Sequence, residues 1–261
     1  MQPTPSNTPG AIFADIADDV DLSVLLSAQA DGLRRRIATH GVVVFRNQSI
    51  DDAGFVRVLE MLGPMTFTPG ETPLAHAPML NAVSNVGRDT PPRSVFHTDS
   101  SYFEAPPAFT ALRAVRVPES GGATLFSDQY AAAERLSPGL RRALAGRTLR
   151  HRVSGLAGRT ESQTHPILRR HPITGRVALY LSTPERCDAL SDSTPEQSTD
   201  LIASLYEHSV APAHLFRHRW QPGDVVIWDD RCTLHCADHS ATVGDRVLHR
   251  GMVAGEIPVA A

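Results

Sequence analysis

Short runs of apolar, β-branched and aromatic residues at 95–99, 109–117, 123–126, 177–181, 225–228 and 246–253 are separated by turns rich in glycine and proline. This spacing excludes most architectures. A doubly wound sheet would alternate such runs regularly with long amphipathic helices, whereas many short strands with Gly and Pro turns pack as a sandwich or barrel. Helices fit at only a few places. Val24, Leu25, Leu33 and Ile37 suit an amphipathic helix over 23–39, which Gly41 ends before the buried run Val42-Val43-Val44-Phe45. Asp51 and Asp52 read as caps of a second helix reaching Leu62, stopped by Gly63-Pro64. A helix pair is expected at 129–136 and 138–144, and another helix at 195–209.

Residues 1–10, rich in Pro, Ser and Asn, read as a disordered tail, and 11–261 as a single domain, since no repeat or linker interrupts it. Stretches near 64–95 and 155–195 carry many Pro, Gly and polar residues and little regular pattern. Long irregular segments inside a compact domain are usually functional, so both are expected to be lid loops.

Charge and residue usage narrow the function. All 25 basic residues are Arg, and with no Lys there is neither a Schiff-base amine nor a P-loop lysine. A net charge of −3 and a pI near 6.4 give no footprint for nucleic acid. The Arg34-Arg35-Arg36 run reads as a solvated helix face. No apolar stretch approaches the roughly 20 residues that span a bilayer. The opening MQPTPSNTPG lacks a basic region followed by an apolar run, so a cytoplasmic location is the default expectation. Cys187, Cys232 and Cys236 make no disulfide framework. The spacing C-x-x-H-C around His235 lacks the second half of a zinc site, so these cysteines read as core residues.

His97-Thr98-Asp99 is the segment that carries chemistry. In a strand, residues two apart share a face, so both side chains could reach one metal ion. With a second imidazole they would form a two-His, one-carboxylate facial triad, which leaves open coordination positions and suits iron(II) oxygenases. Alone the triplet is weak evidence. His235, in GDVVIWDDRCTLH, is the best-placed of the twelve histidines to complete it. Eleven residues on, Arg246 offers a planar fork that matches a carboxylate.

These segments together resemble the taurine dioxygenase and 2,4-dichlorophenoxyacetate dioxygenase family of iron(II)/2-oxoglutarate-dependent oxygenases. The resemblance runs from about Asp21 to Val253. It is carried by HGVVVFR, FHTDSSYFEAPP, PESGGATLFSD, HPITGRVALYLS, GDVVIWDDRCTLH and RVLHR, in that order. It implies a mainly β fold with flanking helices and a double-stranded β-helix (jelly-roll) core. It implies His97, Asp99 and His235 as the ligands of Fe(II), and Thr124 and Arg246 as the residues that bind 2-oxoglutarate. Arg250 matches the arginine that binds the anionic group of the substrate. A carboxylate at Asp99, where related halogenases have a small residue, implies hydroxylation. The reaction would consume O2 and release succinate and carbon dioxide.

The expected substrate is a small anionic carboxylate or sulfonate. The alternatives are an amino acid or derivative in a natural-product tailoring step, and, on the same fold, a catalytically silent binding module. Arg93 stands where taurine dioxygenase has a substrate-contacting asparagine, and Thr68 where it has a histidine; both departures argue against taurine itself. Arg93 would favour a doubly anionic or zwitterionic substrate. His165-Pro166 and His171-Pro172 are expected to order the region near the site, and His249 to face away from Arg250. Neither a nucleic acid nor a membrane is expected as a partner, and a homo-oligomer is compatible with the sequence.

Overall fold

The computed structural model describes residues 13–87, 94–154 and 158–261. In chain order the strands are β1 (Asp15–Ile16), β2 (Val42–Phe45), β3 (Met65–Thr66), β4 (Pro73–Leu74), β5 (Ala77–Ser84) and β6 (Phe109–Arg116). Next come β7 (Thr124–Asp128), β8 (Thr148–Arg152), β9 (Ser162–Pro166), β10 (Leu168–Arg170), β11 (Val177–Leu179) and β12 (Cys187–Leu190). The last are β13 (Leu215–His218), β14 (Val225–Asp229), β15 (Thr233–Ala237), β16 (Val247–Val253) and β17 (Val259–Ala260). The α-helices are α1 (Ala30–His40), α2 (Asp52–Leu62), α3 (Gln129–Glu134), α4 (Pro138–Leu144) and α5 (Pro195–Ser209).

The major sheet runs β1-β2-β14-β6-β16-β5-β4, with β3 added to β16. A smaller antiparallel sheet, β13-β7-β15, packs against it, and further three-stranded units extend from the sandwich. This is the jelly-roll the sequence leads one to expect: two sheets, antiparallel apart from the β1–β2 pair, whose inner faces share a core.

The run Val42–Phe45 shows why the sheet sits where it does. All four residues are buried, because both faces of β2 are covered. Val43 and Phe45 join the core under α1 and α2, while Val42 and Val44 join the core between the sheets with Phe126, Trp220 and Trp228. A strand covered on both sides needs apolar residues at every position.

Helix α2 presses on the outer face. Asp51 caps it by accepting from Gly54 N at 2.8 Å, and Phe55, Val58, Leu59 and Leu62 line its buried stripe. Such a cap contributes about 1 kcal/mol. Contact with β16 is close enough to require Gly251: a Cβ there would lie 2.4 Å from Leu59 Cδ1.

Several expected boundaries shift. Residues 22–29 form two 3-10 turns rather than the start of a helix, and Val24 is exposed. Asp21 accepts from Ser23 N and closes the first turn, so the α-helix starts only at Ala30. The stretch read as irregular at 64–95 contains β5, eight residues paired to β16 over Asn81–Ser84. Its alternation of buried and exposed positions is interrupted by Pro78 and Asn81, which hid it. Between 155 and 195, strands β9 to β12 likewise replace part of the expected loop. Residues 95–99 form no strand; their ladder is the single bridge His97↔His235. Ser100, at φ 44°, turns the chain away after it.

Candidate active site

That one bridge builds the centre of the site. His97 N donates to His235 O at 3.0 Å and His235 N donates to His97 O at 2.9 Å, a reciprocal pair that sets the two residues side by side. Their rings lie 4.3 Å apart. Asp99, two residues along, completes the cluster: His97 Nε2 is 3.6 Å from Asp99 Oδ1, and His235 Nε2 is 3.8 Å from Asp99 Oδ2. One ligand atom from each of the three residues lies within 4.8 Å of the others. Atoms so spaced can all reach one ion at the roughly 2 Å typical of metal–ligand bonds.

The tautomer of His97 is set by its backbone. Its Nδ1 lies 2.9 Å from Val95 O, so that nitrogen carries the proton and Nε2 keeps its lone pair free on the side of Asp99 and His235. Burial pushes both imidazoles down, His235 to about 3, and the guanidiniums of Arg250 and Arg186 add to the effect. Neutral imidazoles are what a metal requires. Burial alone would raise the Asp99 carboxyl. Its neighbours His235, Arg250 and His97 and the Thr110 hydroxyl outweigh it, and the carboxyl stays below its ordinary range.

Asp99 is held from behind. Thr110 Oγ1, on β6, lies 3.0 Å from Asp99 Oδ2 and 2.7 Å from Asp230 Oδ2. A hydroxyl has one proton, so it can donate to only one of them. Burial first, and the Asp99 charge second, push Asp230 well above the usual carboxylate range. With a proton on Asp230, that acid would donate to Thr110 and Thr110 to Asp99. Trp228 Nε1 fixes the other oxygen of Asp230 at 3.0 Å.

Arg246 and Thr124 form a second group. Arg246 is 1% exposed and precedes β16. Its Nε donates to Gly122 O at 2.8 Å and its Nη2 to Thr124 Oγ1 at 3.2 Å, while Nη1 has no partner. Among the described residues no carboxylate pairs with it, and burial lowers its pKa to about 10. Thr124 Oγ1 also accepts from Trp220 Nε1 at 3.0 Å, which leaves its own proton free to donate. Gly122 has φ +66°, and a Cβ on it would meet Arg246 Cδ at 3.0 Å.

Arg250 lies in β16 on the inner face with Leu248 and Met252. Its Nε donates to Asn81 Oδ1 at 3.1 Å; Nη2 is 3.3 Å from Glu71 Oε1, and Nη1 is 3.9 Å from Asp99 Oδ1. Neither Asp229 nor Asp230 pairs with it: Asp229 binds His171 and Arg231, and Asp230 binds Thr110 and Trp228. His249 faces the opposite side, 2.7 Å from Asp52. Arg93 lies outside the described residues.

Sequence reasoning missed Thr110, Asp230, Asn81, Glu71 and Arg186, all brought in by long-range pairing with no local signal. It placed His165 and His171 usefully. His165 Nε2 lies 2.9 and 3.0 Å from the carbonyls of Ser101 and Phe103, bracing the loop after Asp99. Tyr206 of α5 ties down Phe96 O at 2.9 Å. The cluster His171, Asp229 and Cys232 could also gather round an ion. His171 Nδ1, however, already accepts from Ile173 and Thr174 N while Nε2 binds Asp229, so it is a satisfied structural network.

Comparison with known proteins gives a consistent picture. The taurine catabolism dioxygenase TauD, TfdA family matches residues 4–252. An alpha-ketoglutarate-dependent dioxygenase of Aspergillus oryzae is 31% identical over 90% of this chain and 82% of its own length. Pentalenolactone F synthase of Streptomyces arenae is 35% identical over 59% of this chain and 60% of its own. The crystal structure of a taurine dioxygenase from Burkholderia xenovorans superposes with a TM-score of 0.85 at 29% identity, covering 96% of this chain and 89% of that one.

Proposed function

The chain belongs to the TauD/TfdA family and is an iron(II)- and 2-oxoglutarate-dependent dioxygenase, and from that premise we propose that His97, Asp99 and His235 hold the iron while Arg246 and Thr124 anchor 2-oxoglutarate. The observation that carries this reading is the Arg246 pocket. A buried guanidinium with one nitrogen unpartnered and no acid beside it is costly unless an anion joins it. The distal carboxylate of 2-oxoglutarate fits that need, and the free proton of Thr124 adds a second bond. The donor set of the triad fits iron equally well: two neutral imidazoles and one carboxylate, with ligand atoms within 4.8 Å of one another.

Iron(II), when bound with 2-oxoglutarate, supplies the oxidising chemistry that inserts oxygen from O2 into a C–H bond, with succinate and carbon dioxide as by-products. The protein's own part is orientation and dryness. Val95 O keeps His97 in the tautomer with Nε2 free. Thr110 fixes the outer oxygen of Asp99. The Trp228 ring, 4.6 Å from that of His235, screens the imidazole from water.

The substrate is a small anionic carboxylate or sulfonate whose charge meets Arg250, with Arg93 as a second candidate contact. This is supported by the position of Arg250, whose Nη1 lies 3.9 Å from Asp99 and whose Nη2 makes no hydrogen bond. The similarity to pentalenolactone F synthase favours a second reading, a tailoring oxygenase acting on a natural-product precursor or amino acid. In this reading the enzyme works in the cytoplasm; no described helix is long and apolar enough to cross a membrane. Protein loaded anaerobically with Fe(II) and 2-oxoglutarate, then exposed to O2 with panels of carboxylates, sulfonates and amino acids, should release succinate faster with one class. Uniform rates across the panel would sink the anionic-substrate reading, and no succinate at all the silent-module alternative's rival, the enzyme itself.

A further inference from the structure

We propose that Trp220 is a positioning residue for the co-substrate: its indole N–H turns the Thr124 hydroxyl into an obligate donor to the anion beside Arg246. The inference rests on the reading of Arg246 and Thr124 given above and adds a residue that acts through Thr124.

A threonine hydroxyl has two lone pairs and one proton, and it rotates to suit whatever partners are in reach. At Thr124 both lone pairs are taken. Trp220 Nε1 donates to Oγ1 at 3.0 Å and Arg246 Nη2 donates to it at 3.2 Å. The proton is all that remains, so the hydroxyl can only donate. Arg246 Nη1 is also without a bond. Two open donors on bonded neighbours, one charged and one neutral, match the two oxygens of a carboxylate. Without the indole N–H, a lone pair is freed and the hydroxyl can turn its proton elsewhere.

The indole itself is held from several sides. Trp220 is 6% exposed and packs with Phe126 and Trp228 in the core between the sheets. His218, the cross-strand neighbour of Thr124 in the β13–β7 ladder, stands edge-on to it, with ring centroids 4.6 Å apart at 90°. His218 Nε2 lies 3.1 Å from Oδ2 of Asp224, a fully buried carboxylate. That oxygen also accepts from Arg46 Nη1 at 2.6 Å and Gln221 N at 2.7 Å. The Trp220 ring has Arg246 Cζ 5.9 Å from its centroid, so one side chain touches both donors of the pocket. A donor fixed before its ligand arrives loses little freedom on binding, and that saving is the contribution assigned to Trp220.

The test titrates N-oxalylglycine and oxalate calorimetrically into Mn(II)-loaded protein, so no turnover is needed. Oxalate lacks the distal carboxylate and serves as the control for general damage. Trp220→Phe keeps a ring and removes the N–H. It should weaken N-oxalylglycine roughly three- to tenfold, as one hydrogen bond allows, and leave oxalate unchanged. In a Thr124→Val background the same substitution should cost less than about twofold, because the hydroxyl it acts through is gone. Three outcomes overturn the inference alone: unchanged N-oxalylglycine affinity in Trp220→Phe, equal losses for both ligands, or losses that simply multiply in the double variant. If Arg246→Gln keeps full affinity for N-oxalylglycine, the co-substrate reading falls and takes the inference with it.

Discussion

Two arginines from the same end of the chain, Arg246 and Arg250, sit in pockets of opposite character. Arg246 is sealed: its guanidinium is gripped by Gly122 O and Thr124, no acid is near, and one nitrogen is left waiting. Arg250 is half-open and faces Glu71, Asn81 and Asp99. A sealed, uncompensated cation suits one invariant ligand. A cation already flanked by carboxylates suits a ligand that must be discriminated. The proposed metal cluster lies beside the second pocket, so the fixed partner and the chosen one would be read by two arginines four residues apart, one just before β16 and one within it.

The largest blow to this contrast removes the centre beside them. His235→Ala and Asp99→Ala each delete a proposed ligand and should abolish succinate formation and Mn(II) binding in titration; retained metal binding in both would show that the ion sits elsewhere. Next, Arg246→Gln should raise the dissociation constant for 2-oxoglutarate by at least about tenfold, given roughly 1.5–3 kcal/mol for a charge-assisted bond. Arg250→Gln should leave that constant alone and weaken the substrate instead. If the two variants behave alike, the pockets are not distinct.

A smaller effect separates Thr110 from Asp230. Thr110→Val removes the bond that orients Asp99 and should weaken metal binding roughly tenfold or more. Asp230→Asn should be nearly silent, because an amide can replace a neutral acid as donor to Thr110; a loss equal to that of Thr110→Val would mean Asp230 is charged. The mildest expectation concerns pH. His151 is buried, and burial pushes its imidazole to about 3 from an ordinary value of 6.5. The unfolded chain therefore binds a proton that the folded one refuses, so stability falls as pH drops below 6.5 towards about 3. Thermal midpoints measured across that window should decline less steeply in His151→Phe, and an unchanged slope would exclude His151 as a contributor.

The fold class, the family and the cofactors were legible in the sequence because they depend on local runs: β2 reads as four apolar residues in a row, and α2 announces itself through Asp51 and the stripe from Phe55 to Leu62. The histidines and Asp99 could be named because motifs carry them, but not their geometry. Residues 95–99 look like a strand by composition, whereas Ser100 at φ 44° ends the pairing after one bridge. Glu71 and Asn81 could not be found at all. Nothing in the spacing of a Glu in a polar segment, or of an Asn among apolar neighbours, says that Arg250 will arrive beside them from about two-thirds of the chain away. Asp230 lies in the segment GDVVIWDDRCTLH, but its partner could not be read there; the register of β14 against β6 hands it to Thr110.

The bridge between His97 and His235 also bears on how the protein is made. The two histidines are separated by about half the chain, and one pair of backbone bonds joins them. A nascent polypeptide lacking β15 and β16 holds His97 and Asp99 but has neither the second imidazole nor either arginine. Such non-local pairings form late, after the loop between them has been closed. On the proposed ligand set, a chain terminated before β15 could not complete the metal site.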